Sequence, residues 1–357
     1  MPSKIPATVI TGFLGAGKTT LIRHMLQNAN GKKIALIINE FGDLGVDGDI
    51  LKGCGIETCT EDDVVELSNG CICCTVADDF IPTMEMLLER EDAPDHIVIE
   101  TSGLALPQPL VRAFTWPDIR TRVTVDGVVT VVDGPALRDG QFAHNIAAVD
   151  AQRAADENLD HETPLSELFE DQLACADMIV VNKADLLTGD DAALLTTRLK
   201  HGTRKGVTVL RSEMGAIDPA VLLGLGIGAE DDLDARHEIH HHHHHDDEHD
   251  DHHRQDHEHQ HGHDEFESFI AALPALHDAD AMVTKISDVI RRFGILRLKG
   301  FAAVEGKPMR LVIQAVGPRV DSYFDRPLVA DEHGQTRLVV IGEAGLDQAG
   351  IRAALAA

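Results

Sequence analysis

Residues 5–26 read IPATVITGFLGAGKTTLIRHML, an apolar run followed by a glycine-rich loop and then a helical pattern. The loop from Gly12 to Thr19 matches the phosphate-binding pattern G-x-x-x-x-G-K-[ST] at every position. Its backbone N–H groups can surround a phosphate, and the dipole of the following helix favours the same anion. The stretch therefore predicts a P-loop, in which a strand, a phosphate cradle and a helix follow one another.

The residues of this loop have expected roles in holding a nucleotide. The Lys18 ammonium would reach the β- and γ-phosphates, where we assign it a catalytic role, and the Thr19 hydroxyl would bind Mg²⁺. A chance glycine-rich turn would lack the strand, the Lys-Thr pair and the helix. The predicted nucleotide-binding residues of this loop are Gly12, Gly15, Ala16, Gly17, Lys18, Thr19 and Thr20.

A second apolar run ends in a carboxylate. Residues 96–103 read HIVIETSG, a buried-strand pattern that ends at Glu100 and is followed by Gly103. An acid at the carboxyl end of a strand beside the P-loop strand can meet Mg²⁺ or its water. We therefore predict Glu100 as a second Mg²⁺ ligand and a catalytic residue, although apolar strands that end in Glu are common.

A third apolar run leads into a base-recognition pattern. Residues 175–187 read CADMIVVNKADLL, in which Asn182, Lys183 and Asp185 form the N-K-x-D pattern known from GTPases. The Asp185 carboxylate can accept hydrogen bonds from N1–H and the 2-amino group of guanine, a pair that adenine lacks. The alternative is a strand-to-helix turn with Asp185 as its N-cap. We favour GTP, and we expect Ser212, after the next strand, in a second loop beside the base.

Strands alternate with helical patterns from Ile5 to about residue 210, which predicts the α/β fold of a P-loop NTPase. We expect a mostly parallel sheet with helices on both faces and with the ligands at the carboxyl ends of the strands. Residues 295–317 read ILRLKGFAAVEGKPMRLVIQAVG, which predicts a hairpin within a smaller C-terminal α+β domain. The predicted domains are a P-loop GTPase domain, a linker and a C-terminal domain, at residues 1–229, 230–265 and 266–357.

Composition excludes several classes of protein. Six cysteines in 357 residues do not form a disulfide scaffold. The net charge of −29 argues against partners such as nucleic acid or an anionic membrane, which require basic surface. The first residues lack a signal-peptide pattern, and no apolar run approaches the ~20 residues that span a bilayer. We therefore expect a cytoplasmic protein.

Three of the six cysteines lie within four positions of the sequence. Residues 68–76 read SNGCICCTV, with thiols at Cys71, Cys73 and Cys74. A disulfide is disfavoured in a reducing compartment, a redox pair of Cys71 and Cys74 leaves the middle thiol unexplained, and a buried inert cluster remains open. Thiolates bind zinc and cobalt(II) in tetrahedral sites. We favour metal, with Cys71 and Cys73 as ligands and with Cys74 as a third ligand if the backbone bends, because adjacent side chains in an extended segment point to opposite sides.

An acidic, glycine-rich segment follows the second predicted strand. Residues 37–51 read IINEFGDLGVDGDIL. A mobile acidic loop beside a nucleotide can hold Mg²⁺ or position water, and we name Glu40 and Asp43 as catalytic candidates on this ground. A solvated loop is the alternative for both, and it is the preferred interpretation for Asp47 and Asp49.

A histidine-rich tract separates the two predicted domains. Residues 236–267 contain fourteen of the 21 histidines, interleaved with acids. This composition predicts disorder. Because imidazole binds zinc, cobalt, nickel and copper, the tract can gather metal loosely, and the alternatives are a plain linker or a purification tag.

Five segments taken together, GFLGAGKTT, NEFGD, NGCICC, IETSG and NKAD, resemble the CobW family of P-loop GTPases over nearly the whole chain. That family comprises metallochaperones for metals including cobalt and zinc. The resemblance implies that Cys71, Cys73 and Cys74 bind the delivered metal, and that the chain at Cys74 and Thr75 lies near the nucleotide. It also implies a C-terminal domain for partner docking or regulation.

We therefore predict a GTP-dependent metallochaperone that binds a divalent metal with Mg²⁺-GTP and releases it to a client protein on hydrolysis. The resemblance favours cobalt delivered to cobalamin biosynthesis, with a cobaltochelatase as the candidate client. Three rivals remain: a zinc-directed chaperone of the same family, a histidine-rich metal store with a regulatory nucleotide site, and a small-molecule kinase, against which the N-K-x-D pattern speaks.

Overall fold

The computed structural model describes residues 4–38, 64–66, 80–90, 92–155, 164–225, 229–231, 266–316, 319–329, 332–343 and 345–356. Within these ranges, seven strands form one sheet in the order β3-β2-β4-β1-β5-β6-β7, and every neighbouring pair is parallel. The strands are β1 (Ile5–Thr11), β2 (Ile34–Ile38), β3 (Val64–Glu66), β4 (His96–Glu100), β5 (Val123–Asp133), β6 (Met178–Asn182) and β7 (Thr208–Arg211).

Helices cover both faces of this sheet. They are α1 (Lys18–Gln27), α2 (Ile81–Leu88), α3 (Pro107–Ala113), α4 (Pro117–Arg120), α5 (Gly134–Arg138), α6 (Ile146–Ala155), α7 (Leu165–Cys175), α8 (Gly189–His201) and α9 (Pro219–Leu222). Strand residues alternate between two cores, so that Ile10 packs in the cluster containing α1 while Val9 packs in the cluster containing α2 and α3. The predicted α/β architecture is confirmed.

The C-terminal part of the chain forms a separate antiparallel sheet in the order β11-β10-β9-β12-β8. Its elements are β8 (Phe266–Pro274), α10 (Ala279–Phe293), β9 (Arg297–Ala302), β10 (Met309–Val316), β11 (Arg319–Pro327), β12 (Gln335–Glu343) and α11 (Gln348–Ala356). Strands β9 and β10 are antiparallel neighbours, which confirms the predicted hairpin. The helices α10 and α11 pack on the sheet and give it a core of its own.

The second sheet also contacts the first unit. Leu296 and Ile341 belong to the same buried cluster as α1 and α9. In the second unit, the Arg297 guanidinium is also buried. It donates hydrogen bonds to the backbone carbonyls of Ala220, Leu223 and Gly224 in the first unit. Apolar side chains and the Arg297 guanidinium therefore both contribute to the contact between the two units.

None of the helices in the described part of the chain combines the length and the apolar character that crossing a bilayer requires.

Candidate nucleotide site

The P-loop runs from β1 into α1 in tight contact with its neighbours. Gly12 has φ 137° and Gly17 has φ 101°, both in a region that side chains other than glycine avoid. A Cβ atom on Gly12 would lie 2.1 Å from the Val131 carbonyl oxygen, and one on Gly17 would lie 2.1 Å from Asn182 Nδ2. Backbone conformation and space thus both require glycine, and the loop can present its N–H groups to an anion.

Lys18 lies at the start of α1 with its side chain folded into the loop. Its Nζ donates to the carbonyl oxygens of Gly12 at 2.9 Å and Phe13 at 3.4 Å, and the residue is buried. A phosphate oxygen in the loop would give this ammonium a charge-assisted hydrogen bond, which is stronger than one to a neutral carbonyl. The position suits the role predicted for Lys18.

Thr19 and Glu100 meet at the adjoining strand end. The Thr19 hydroxyl donates to Glu100 Oε1 at 3.3 Å, because β4 pairs with β1 in a register that places Ile10 opposite Glu100. A hydroxyl and a buried carboxylate are hard oxygen donors of the kind that Mg²⁺ takes beside substrate phosphates. These two residues fit Mg²⁺, which when bound would neutralise charge on the phosphates.

Asn182 ties the phosphate side of the site to the base side. Its Nδ2 donates to the Ala16 carbonyl at 2.9 Å, and its Oδ1 accepts from Gly215 N–H at 3.1 Å. The next residue, Lys183, has φ 58° and pairs through Nζ with the buried Asp133 carboxylate at 2.5 Å. Both side chains bond to groups of the protein, and these bonds fix the turn that follows them.

That turn presents Asp185. Residues Ala184–Leu186 form one 3₁₀ turn, and Ala184 N–H donates to the Ser212 carbonyl at 3.0 Å, which joins the turn to the loop after β7. Asp185 is exposed, so its carboxylate is accessible to a base. Ser212 is buried, and its hydroxyl has no hydrogen-bond partner among the described residues. The two loops predicted to contact the base are therefore adjacent.

Two exposed apolar side chains beside this pair of loops were missed by the sequence analysis. Leu186 is 60% exposed, and Met214, at φ 51°, is 73% exposed. Single apolar residues in turns carry no recognisable signal, which explains the omission. Exposed apolar side chains of this kind can pack on the face of a purine ring, and the thioether of Met214 is polarizable.

The remaining predicted site residues, Glu40, Asp43, Cys71, Cys73, Cys74 and Thr75, lie outside the described residues. The strands that lead into their segments are described. Ile38, the last residue of β2, pairs with Glu66 in β3 and with Glu100 in β4. The chain thus leaves β2 and β3 at the level of Glu100.

Sequence analysis also missed a glutamine behind the loop that follows Glu100. Gln172, on α7, is fully buried, and its Nε2 donates to the carbonyl oxygens of Gly103 and Ala105, each at 3.1 Å. The partners are more than sixty positions apart, and nothing in the sequence around Gln172 predicts the contact. The amide fixes the course of this loop beside the P-loop.

Known proteins resemble the chain over its whole length. Family models for the CobW/HypB/UreG nucleotide-binding domain and for the cobalamin synthesis protein cobW C-terminal domain match residues 6–210 and 266–357. A zinc chaperone CobW from Sinorhizobium sp is 58% identical over 99% of this chain and 97% of that protein. One from Pseudomonas aeruginosa is 51% identical over 98% and 90%. A zinc-regulated GTPase metalloprotein activator 1 from Schizosaccharomyces pombe is 38% identical over 52% and 40%.

Proposed function

The chain belongs to the CobW family of P-loop GTPases, and from this membership we propose that it is a GTP-dependent chaperone for a divalent metal ion. One observation of the structure supports the binding of a guanine nucleotide. The P-loop, the Thr19–Glu100 pair and the Asp185 turn lie along a single edge of the sheet, where Asn182 joins the phosphate side to the base side. This edge can hold a guanine nucleotide from its base to its γ-phosphate.

The metal half rests on the cysteines of the sequence. Cys71, Cys73 and Cys74 offer thiolates, which bind zinc and cobalt(II) in tetrahedral sites. The names of two full-length relatives support zinc as the cargo. Cobalt for cobalamin biosynthesis, with a cobaltochelatase as the client, is the competing assignment that the sequence resemblance favoured.

We further propose that Mg²⁺-GTP tightens the cysteine site and that hydrolysis loosens it. The segment that carries the cysteines starts from β3, in register with Glu100, so contacts to the nucleotide can set the separation of the thiols. Linkage requires the reverse effect as well, so that bound metal tightens GTP binding.

Competitive metal titration tests both halves together. Zinc and cobalt(II) are titrated separately against a chelator, with Mg²⁺ and a non-hydrolysable GTP analogue and then with GDP. We expect one site that is at least tenfold tighter with the analogue, and loss of that site when Cys71 or Cys73 is replaced by Ser while the nucleotide still binds. Equal affinity with the analogue, with GDP and without nucleotide would contradict the switch.

The two affinities distinguish the cargoes when each is compared with the free concentration of that metal in the cell, because metal selectivity depends on availability as well as on raw affinity. The histidine tract distinguishes a chaperone from a store. Deletion of residues 236–263 should leave the tight site intact, because ordering dispersed histidines on a long polar segment costs conformational entropy. A storage protein would instead bind many ions per chain regardless of nucleotide and would lose most of them with the tract.

A further inference from the structure

The loop after Glu100 packs directly against the P-loop. A Cβ atom on Gly103 would lie 2.8 Å from Leu14 N and 3.3 Å from Leu14 Cα, so the two backbones touch there. Leu14 precedes Lys18 by four residues within the phosphate cradle, and Gly103 follows the Glu100 carboxylate by three. The contact therefore marks the end of the site where the terminal phosphate of GTP would lie.

GTP hydrolysis requires a group that orients the attacking water, and in other P-loop GTPases a glutamine does this. Here the residue after Gly103 is Leu104, which is 1% exposed and packs in the apolar cluster with Phe13. An apolar side chain turned into the core cannot accept a hydrogen bond from water. Another polar group must therefore orient the water. Glu40 and Asp43, the candidates named from the sequence, lie outside the described residues.

Helix α6 supplies one. Gln152 places its Oε1 3.3 Å from the position of a Cβ atom on Gly103, beside the contact with Leu14. This oxygen is buried and has no hydrogen-bond partner among the described residues. A buried carbonyl oxygen that accepts no hydrogen bond is unfavourable. We therefore expect a hydrogen-bond donor to reach this oxygen when the substrate binds.

The neighbouring residues hold this arrangement in place. Gln172 fixes Gly103 from the other side through the carbonyl oxygens of Gly103 and Ala105. Val149, on the same helix as Gln152, is fully buried in the cluster that contains Phe13 and Leu104. Helix α6, the P-loop and the loop after Glu100 therefore share one core, which limits movement of Gln152 relative to Gly103.

We propose that Gln152 is a catalytic residue for GTP hydrolysis, and that its Oε1 accepts a hydrogen bond from the attacking water. The water oxygen forms a bond to the γ-phosphorus while the bond from that phosphorus to the β–γ bridging oxygen breaks. The electron pair of that bond leaves with GDP, and the water proton passes to the phosphate product. Gln152 orients the water and takes up no proton.

Single-turnover hydrolysis by the full-length protein with Mg²⁺-GTP and no cargo metal tests this role. Replacing Gln152 by Ala should lower the hydrolysis rate by about 10- to 1,000-fold, the range seen when one group acting on the transition state is removed. GTP affinity should stay within about threefold. Asp150→Ala, an exposed position on the same helix, is the matched control and should hydrolyse GTP at the unaltered rate.

A transition-state analogue separates a catalytic role from a structural one. GDP with aluminium fluoride should bind tightly to the unaltered protein and to Asp150→Ala, whereas Gln152→Ala should bind GDP normally and gain little from the fluoride. A rate within twofold of the unaltered protein would overturn the proposal. So would equal losses of GDP, GTP and analogue binding, which would show that Gln152 only supports the fold. Neither measurement involves cargo metal, so the result does not depend on the proposed chaperone function.

Discussion

Asp185 is the residue that we predict to select the nucleotide. Its carboxylate is exposed on a turn that Ala184 and Ser212 hold by one backbone hydrogen bond at 3.0 Å. An ionised carboxylate is an acceptor only, whereas an amide places a donor on one of its two positions. One of the two hydrogen bonds between base and protein would then become a contact between two donors.

We expect Asp185→Asn to weaken GTP binding by about 1–3 kcal/mol, the cost of leaving buried polar groups without partners. ATP binding should change little, because adenine lacks the two donors that Asp185 accepts from. Titration of fluorescent GTP and ATP analogues measures both affinities. Asp190→Asn, an exposed acid in the first turn of α8, is the control. Equal affinity of the unaltered protein for GTP and ATP would refute guanine recognition.

Single residues also show how far sequence reasoning reached. The P-loop pattern and the parallel-sheet rule predicted that Lys18, Thr19 and Glu100 lie at the ends of neighbouring strands, and β1 and β4 are neighbours. The roles of the three residues stay predictions. Gln152 and Gln172 were missed because their contacts join segments distant in the chain. The sequence around a helical glutamine does not show whether its side chain bonds to a distant loop or faces solvent.

At the scale of elements, strands β1, β4 and β5 carry a buried polar cluster at the edge opposite the nucleotide site. Thr8 Oγ1 lies 2.8 Å from His96 Nε2 and 3.4 Å from Asp126 Oδ2, while His96 Nε2 lies 3.9 Å from the same carboxylate oxygen. Burial lowers the pKa of His96 from 6.5 to about 4, although Asp126 acts in the opposite direction. The value of about 4 already includes the smaller lowering effects of Lys32, Arg297 and Lys299.

This cluster predicts a pH dependence of stability. His96 binds a proton below about pH 6.5 in the unfolded chain but only below about pH 4 in the folded chain. The free energy of unfolding therefore falls as the pH drops from about 6.5 to about 4. At pH 5 the contribution lost is about 2 kcal/mol, since one unit of pKa corresponds to about 1.4 kcal/mol.

Urea unfolding at pH 5 and pH 7 checks this expectation. His96→Gln removes the titrating group, so its free energy of unfolding should fall less between the two pH values than that of the unaltered protein. The exposed His333 provides the control, because His333→Gln should keep the original pH dependence. Identical pH dependence in His96→Gln and the unaltered protein would rule out this role of the buried imidazole.

At the scale of the whole molecule, Arg297 contributes to the contact between the two units. This residue, at the start of β9, is 6% exposed and donates to three carbonyls of the first unit. Burial lowers the pKa of its guanidinium, while Asp126 and Asp218 raise it. The methylene groups and the guanidinium of Arg297 thus both contribute to the contact between the two sheets.

Arg297→Met keeps the apolar stem but leaves the carbonyls of Ala220, Leu223 and Gly224 without this donor. We expect it to lower the free energy of unfolding by about 2–4 kcal/mol, because breaking a buried polar network is among the costly classes of substitution. Chemical denaturation followed by circular dichroism measures the change. Arg337→Met, exposed on the neighbouring strand β12, should stay within about 0.5 kcal/mol of the unaltered protein.

Arg297 recognises backbone oxygens, and every amino acid offers the same oxygen. Substitutions at Ala220 and Leu223 can therefore accumulate over generations without removing a partner from the guanidinium. Gly224 is the exception, because it has φ 72° and a Cβ atom there would lie 2.8 Å from Arg297 Nη2. In a library of variants selected only for the contact between the two units, the exposed position 220 should vary widely and the buried position 223 should vary among apolar residues of similar size, while glycine persists at 224.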